Sequence, residues 1–155
     1  MGPYELMDYT GLDVALNASA YYAETVHPDF APGRILKSKV DAGELGKKTG
    51  KGFYDWQNGR PEIDLSKAAK NLDPVDMLLV NLNEATKIVE MGVCSLEDVD
   101  LAIVNATGSS KGPIEESQGI EPDFIVEKLN GLSEIFKKEI FKPTETIKTG
   151  AYRRS

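Results

Sequence analysis

The sequence predicts an all-α protein made of two tandem helical repeats, and three observations support this fold class. Apolar residues recur at helical spacing, which predicts helices with one buried face. The first long stripe consists of Leu12, Ala15, Leu16, Ser19, Tyr22, Ala23 and Val26. Capping signals at Asp73-Pro74 and at Ser95-Leu96-Glu97-Asp98 mark the starts of two further helices. In addition, one run of turn residues occurs twice in the same order.

The repeated run has three parts: a Gly-Pro turn, a Gly-x-Asp or Gly-x-Glu tripeptide, and a Phe-x-Pro tripeptide. The first copy reads Gly2-Pro3-Tyr4-Glu5, Gly11-Leu12-Asp13 and Phe30-Ala31-Pro32. The second copy reads Gly112-Pro113-Ile114-Glu115, Gly119-Ile120-Glu121 and Phe141-Lys142-Pro143. Two copies predict two similar supersecondary units packed on each other. Helical sequence precedes the second Gly-Pro turn and nothing precedes Met1, so we expect the first copy to be incomplete and the chain to be a piece of a larger protein.

The predicted domain boundaries follow the two copies. We assign residues 1–56 to the first repeat, 57–72 to a polar linker, and 73–155 to a second, degenerate repeat. The first repeat is expected to hold three helices before a basic glycine-rich loop at 46–52, and at most a short extended segment near 53–56.

In the second repeat, the helix that follows Asp73 is expected to be central, because Met77, Val80 and Ile88 widen its apolar face. Gly131 lies inside a later helical stripe, where glycine costs about 1 kcal/mol relative to alanine. We therefore expect a close helix contact or a break at that position.

The composition is that of a globular protein, with 155 residues, 41% of them hydrophobic and 28% charged. A net charge of -7 argues against non-specific binding to nucleic acid or to an anionic membrane. The single cysteine, Cys94, cannot form an internal disulfide, which favours a reducing, cytoplasmic setting. We expect no membrane-spanning helix and no secretory signal, because neither pattern occurs.

The chain lacks the common catalytic motifs. It has no G-x-G-x-x-G turn for a dinucleotide. No serine has the strained strand-to-helix context of a G-x-S-x-G nucleophile, since the one stretch with that spacing, Gly108 to Gly112, follows a predicted helix. With one histidine and one cysteine it cannot form a His/Cys metal cluster. His27 is interpreted as a surface or helix-end residue and Cys94 as a small buried one. We therefore expect no catalytic residue, metal or cofactor bound by this chain.

The basic loop at 46–52 superficially resembles a phosphate-binding loop. Its spacing is one residue short of the Walker pattern, and Gly52 stands where Ser or Thr must bind magnesium. The favoured interpretation is a solvated turn. The alternative is an anion site made by backbone amides with Lys47, Lys48 and Lys51.

Taken together, these residues resemble the C-terminal domain of 3-hydroxyacyl-CoA dehydrogenases. Gly2 to Asp13 is similar to the family's G-P-[FY]-E-L-x-D-x-x-G-L-D stretch, and Gly46 to Tyr54 to its G-K-K-T-G-x-G-F-Y loop. In the second copy, the residues similar to the family's N/M-E-A…E-x-G-x-x-S-x-E-D-[IV]-D-x-A run are Asn83-Glu84-Ala85, Gly92-Val93, Ser95, Asp98 and Asp100-Leu101-Ala102.

The resemblance implies a division of labour. A separate N-terminal Rossmann domain would bind NAD and hold the catalytic His-Glu pair, while the helical domain would close over the acyl-CoA and form the dimer interface. The parent enzyme would oxidise 3-hydroxyacyl-CoA in fatty-acid β-oxidation or a related acyl-CoA pathway. Substrate contacts in this chain would come from Met1, Gly2, Pro3 and Leu6, for which plain core packing is the competing interpretation. Lys47, Lys48 and Lys51 would be possible contacts to an anion or to CoA.

The second copy departs from the family pattern at two places. Val75 and Asp76 replace an Asn-Arg pair that includes a substrate-positioning asparagine, and Ser110-Lys111 replaces Pro-Met before the Gly-Pro turn. A charged residue does not suit an apolar acyl pocket. The second copy is therefore expected to be structural.

Two alternatives remain at this point. The chain could be a helical oligomerisation module with no substrate contact, or a stand-alone anion or CoA carrier that uses its three loop lysines. The first predicts a stable oligomer without acyl-CoA binding, and the second predicts binding that is lost when those lysines are reversed in charge.

Overall fold

In a computed structural model, which describes residues 1–64, 66 and 73–153, the predicted all-α fold is confirmed. The described part contains helices and 3-10 turns, and its extended pairing consists of isolated bridges between Gly46 and Lys51 and between Lys51 and Asp55. The chain divides into two compact units, unit 1 (residues 1–68) and unit 2 (residues 69–155). The predicted linker at 57–72 lies partly outside the described residues.

Unit 1 contains three α-helices in the part that the structure describes. They are α1 (Pro3–Thr10), α2 (Leu12–Thr25) and α3 (Arg34–Asp41). Pro3 starts α1, because proline fits the first helical position. Gly11 ends α1 with a positive φ of 109°, a conformation that favours glycine.

Among the described residues of unit 1, the buried apolar ones are few, namely Leu12, Leu36 and Trp56. The predicted buried face of α2 is therefore wrong over its second half, since Tyr22 and Val26 are 49% and 65% exposed. The physical reason is that α2 packs on α1, α3 and the 3-10 turn Pro28–Phe30, which leave part of its apolar stripe uncovered.

Unit 2 contains five helices within the described residues. They are α4 (Pro74–Glu90), α5 (Leu96–Thr107), α6 (Pro113–Glu116), α7 (Pro122–Phe136) and α8 (Glu145–Lys148). The predicted caps form: Asp73 accepts a hydrogen bond from the amide of Val75, and Ser95 and Asp98 make a reciprocal capping box. The core of the unit consists of Leu79, Leu82, Ala85, Val99, Ile114, Ile125, Leu129, Ile147 and Tyr152.

Helix α4 is the centre of unit 2, because it contacts α5, α6, α7 and α8. Its neighbours do not surround it, however, and the predicted widening of its buried face is wrong at Met77 and Ile88, which are 49% and 40% exposed. The expectation for Gly131 is also wrong. Helix α7 runs unbroken through it, and a Cβ at this position would meet no heavy atom within 4 Å.

Two buried polar residues on α4 fix the chain that returns across it. Asn83 donates to the carbonyls of Ile140 and Lys142 at 3.1 and 3.0 Å. Thr86 shares a 2.8 Å hydrogen bond with the hydroxyl of Thr144. These side chains lie on the apolar face of the helix, where every polar group needs a partner. Asn83 finds it in backbone carbonyls and Thr86 in a hydroxyl, in both cases more than fifty residues away.

Candidate functional site

The candidate site is the surface of unit 1 formed by the start of α1 and the loop at 46–52. The four predicted substrate contacts, Met1, Gly2, Pro3 and Leu6, are all exposed, with Met1 at 64% and Leu6 at 52%. They are therefore accessible at the surface of this unit, while the opposite side of α1 buries Glu5 and Asp8.

Asp8 is the anchor that holds the loop and the segment after it against α1. Its carboxylate is fully buried and accepts hydrogen bonds from the amides of Phe53 and Tyr54, both at 2.8 Å. The indole Nε1 of Trp56 donates to the same carboxylate at 3.0 Å. Three donors thus pair both oxygens of this buried carboxylate, so Asp8 has a structural role.

Two glycines of the loop are required by this anchor. A Cβ at Gly46 would lie 2.2 Å from the carbonyl oxygen of Asp8, and a Cβ at Gly52 would lie 2.1 Å from its Oδ1. Both distances are far inside van der Waals contact. The glycines therefore permit a close approach of the backbone to Asp8, which explains them without any phosphate.

Most backbone amides of the loop are already used. Thr49, Gly50 and Lys51 donate to carbonyls within the loop, and Gly52 donates to the carbonyl of Tyr54. A backbone anion site needs successive free amides that point to one spot. The amides of Lys47 and Lys48 have no partner among the described residues, so the loop offers at most these two, and an anion here would depend largely on side chains.

The three loop lysines have different surroundings. Lys48 pairs with both carboxylate oxygens of Asp13, at 2.5 and 2.6 Å, and lowers the pKa of that carboxyl mainly through the hydrogen bond. Lys51 pairs with Glu44 at 2.6 Å, which raises the pKa of the lysine. Lys47 instead places its ammonium 4.3 Å from the ring centroid of Tyr9. Two of the three charges are thus engaged by carboxylates.

A cavity of about 420 Å³ lies beside Lys47. We call it the Lys47 cavity, and it is lined by Met1, Tyr9, Lys47, Trp56, Gly59 and Arg60. The rings of Tyr9 and Trp56 are 6.3 Å apart and tilted. Arg60 fixes one wall, because its Nε donates to the buried carboxylate of Glu5 at 2.6 Å and holds the pKa of Glu5 below its usual value.

The Gly-Pro turns of the two units have matching backbones but different surroundings. Gly2 has φ and ψ of -79° and 167°, and Gly112 has -89° and 169°. In unit 2, Asp100 accepts from the amides of Ile114 and Glu115, both at 2.8 Å, and a Cβ at Gly112 would lie 2.2 Å from this carboxylate. A Cβ at Gly2 would meet no heavy atom within 4 Å. The turn is therefore closed by α5 in unit 2 and open in the described part of unit 1.

The departures in the second copy are accommodated as structural residues. Asp76 lies 3.3 Å from the ammonium of Lys128, which also pairs with Asp73 at 3.1 Å. Lys111 lies 3.6 Å from Glu115. The charges at these positions are thus paired within unit 2.

The residues that sequence reasoning set aside also have structural contacts. His27 accepts a hydrogen bond at Nδ1 from the amide of Asp29 at 3.2 Å, which caps the 3-10 turn that follows. Cys94 is half-buried against the core of unit 2. Within residues 1–64, 66 and 73–153 no cluster of three metal-ligating side chains is found, and no helix is long and apolar enough to cross a membrane.

Comparison with known proteins places these features in a family. The sequence profile described as 3-hydroxyacyl-CoA dehydrogenase, C-terminal domain, matches residues 1–56 and again residues 76–152. The chain belongs to this family. The two matched segments overlap the two copies of the internal repeat, and the resemblance to this family is confirmed.

Individual relatives agree with this assignment. A 3-hydroxybutyryl-CoA dehydrogenase of Mycobacterium tuberculosis is 44% identical over 57 residues, which cover 36% of this chain and 20% of that protein. A peroxisomal fatty acid beta-oxidation multifunctional protein of Oryza sativa subsp. japonica is 27% identical over 179 aligned positions, covering 99% of this chain and 24% of that protein.

A solved structure shows the same fold. The crystal structure of 3-hydroxybutyryl-CoA dehydrogenase from Escherichia coli K12 matches with a TM-score of 0.76 and 18% identity, over 97% of this chain and 51% of that one. The matches cover 20% and 24% of the length of the two curated relatives named above.

The Asp8 anchor joins the two family motifs of the first copy. Asp8 belongs to the stretch from Gly2 to Asp13, and its carboxylate accepts hydrogen bonds from Phe53 and Tyr54 at the end of the loop motif.

Proposed function

We propose that this chain is the part of an NAD-dependent 3-hydroxyacyl-CoA dehydrogenase that closes over the acyl-CoA and forms the dimer interface. The observation that supports the proposal is the double match to the C-terminal domain, together with an exposed apolar surface at the start of α1. NAD and the catalytic groups would belong to an N-terminal Rossmann domain of the parent protein. A cytoplasmic location remains part of the same proposal.

The proposed substrate contacts are Met1, Gly2, Pro3 and Leu6. An exposed apolar side chain such as Leu6 gains free energy when a ligand removes it from water, by about 25 cal/mol for each Å² covered. The acyl chain of the substrate is the part of an acyl-CoA that would provide such cover. Unit 2 would not contact the substrate, since Lys111 and Asp76, where it departs from the family pattern, hold charges that are paired within the unit.

The division of labour is tested by activity and calorimetry. The chain alone is expected to form no NADH from 3-hydroxybutyryl-CoA, because it holds no dinucleotide motif and no catalytic pair. Acetoacetyl-CoA is expected to bind more tightly when the separately produced Rossmann domain is added. Turnover by the chain alone would refute the assignment.

The substrate contacts are tested by a matched pair of variants. Leu6→Asn should weaken acetoacetyl-CoA binding in the two-domain mixture, whereas Val14→Asn should not. Leu6 and Val14 are suitable partners because they are exposed to similar degrees, 52% and 54%, on adjacent helices of unit 1. Equal effects of the two substitutions would remove Leu6 from the site.

A second candidate function, a helical oligomerisation module without substrate contact, is favoured by a separate observation. An apolar cleft of about 220 Å³ opens on unit 2, lined by Asp76, Met77, Val80, Asn81, Leu132, Phe136 and Phe141. Surfaces of this kind are typical of contacts between proteins. Sedimentation of the wild type should then show a dimer that Phe136→Glu disrupts and that Val93→Glu, at a 67% exposed control position, leaves intact. A monomeric wild type would exclude this role.

A further inference from the structure

The Lys47 cavity combines positive charge with aromatic surface in a volume that suits a small ligand. Its volume of about 420 Å³ is within the usual range for small-molecule sites. Lys47 is the loop lysine for which the described residues supply no carboxylate, since Lys48 and Lys51 pair with Asp13 and Glu44. Its positive charge lies against the ring of Tyr9 on the cavity wall, where no carboxylate of the described residues neutralises it.

Arg60 provides a second cation with spare donors. It binds Glu5 through Nε at 2.6 Å and Nη2 at 3.3 Å, so Nη1 takes no part in this pair. Its side chain is 68% exposed, whereas that of Glu5 is 2% exposed. The guanidinium is thus fixed in position by a buried partner while part of it faces solvent. Guanidinium and ammonium groups together are typical of sites that bind phosphate.

The aromatic wall is suited to a flat base. Tyr9 is 52% exposed, and its ring packs near that of Trp56, which Asp8 holds through the indole. Aromatic rings on which bases stack contribute to the binding of nucleotides without requiring specific base edges. A cation next to such a ring favours a ligand that presents both a base and a phosphate.

We propose that the Lys47 cavity binds a phosphorylated nucleoside, with the phosphate between Lys47 and Arg60 and the base against Tyr9. The adenosine phosphate end of CoA is one source of this chemistry, and a free nucleotide is another. Choosing CoA as the source rests on the proposed function above. The recognition chemistry rests on the cavity alone.

The test uses Trp56, which is the one tryptophan in the sequence and lines the cavity. Its fluorescence is followed in the full chain while adenosine 3′,5′-bisphosphate, ADP or inorganic phosphate is added. We expect saturable quenching by the bisphosphate. Lys47→Glu should weaken this binding by about tenfold or more, because it replaces a charge-assisted hydrogen bond by repulsion. Lys47→Arg should retain it.

Lys37→Glu is the matched control. Lys37 is an exposed lysine on α3 of the same unit and does not line the cavity, so its reversal changes the net charge equally. Circular dichroism of each variant checks the fold. If Lys37→Glu weakens binding as much as Lys47→Glu, or if neither nucleotide quenches Trp56, the proposal is overturned.

Comparison of the three ligands shows whether the site is specific for the adenosine phosphate end of CoA or binds nucleotides in general. Tighter binding of the bisphosphate than of ADP supports the CoA end, and equal binding supports a general nucleotide site. Inorganic phosphate that binds as tightly as both nucleotides would overturn nucleoside recognition. The proposed function is tested separately, by acetoacetyl-CoA binding in the two-domain mixture. A negative result in the fluorescence titrations would therefore overturn the nucleotide site without contradicting the proposed function.

Discussion

Replacing Asp8 by asparagine should destabilise unit 1 far more than its small chemical change suggests. The two carboxylate oxygens serve different donors: Oδ1 accepts from Phe53, and Oδ2 accepts from Tyr54 and from the Trp56 indole. Asparagine has one acceptor oxygen and one NH2 group. In its better orientation the oxygen faces Tyr54 and Trp56, and the NH2 group faces the amide of Phe53, which then has no acceptor.

The expected loss follows from these contacts. An unsatisfied buried donor costs about 1–3 kcal/mol, and the two remaining hydrogen bonds change from charged to neutral, which weakens each of them. We therefore expect Asp8→Asn to lower the free energy of unfolding by about 2–4 kcal/mol. The loss would be smaller only if the loop at 46–52 could move away from α1 and let water reach the unpaired amide. The close packing of Gly46 against the backbone of Asp8 opposes such a movement.

The assay is urea unfolding followed by tryptophan fluorescence, because Trp56 is the one tryptophan in the sequence and contacts Asp8 directly. Asp55→Asn is the control. Asp55 is exposed and accepts one hydrogen bond, from the amide of Gln57 at 2.9 Å, which an asparagine oxygen can replace. The control should change stability by less than about 0.5 kcal/mol. An Asp8→Asn variant as stable as this control would refute the anchoring role.

Three further predictions concern unit 2. Gly131→Ala should raise the free energy of unfolding by about 0.5–1 kcal/mol, since the position is helical and a Cβ there meets no neighbour. Urea titrations followed by circular dichroism measure this change, and a loss of stability would mean that the methyl group displaces a neighbour. Ser117→Ala should leave stability unchanged or slightly raised in the same assay, because the buried Ser117 hydroxyl has no hydrogen-bond partner among the described residues; a clear loss would reveal one. The hydrogen bonds from Ser95 lower the pKa of Asp98 below 3.8, so the stability that Asp98 adds is complete above pH 3.8 and is lost as the pH falls through its lower folded-state pKa. The difference in unfolding free energy between wild type and Asp98→Asn should therefore shrink at low pH, and a difference that grows would contradict the capping box.

Local signals in the sequence were sufficient for the fold class, the helix starts and the family. The capping box at Ser95 and Asp98 and the cap at Asp73 depend on groups within three residues of each other, so they can be read without tertiary structure. The internal repeat is equally explicit, and the profile matches its two copies at residues 1–56 and 76–152. Which side chains of a helix become buried cannot be predicted so locally, because burial depends on the elements that pack against the helix. Met77 and Ile88 show this, since both were expected to be buried and are exposed.

The roles of individual polar residues were decided by contacts between distant parts of the chain. Asp8 meets Phe53 across 45 positions of sequence, and Asn83 meets Lys142 across 59, and neither spacing has a signature in the sequence. The loop lysines look equivalent as residues, yet folding places a carboxylate beside Lys48 and an aromatic ring beside Lys47. Burial and pairing of charge are properties of the packed chain, since water solvates the same groups equally well before the chain folds.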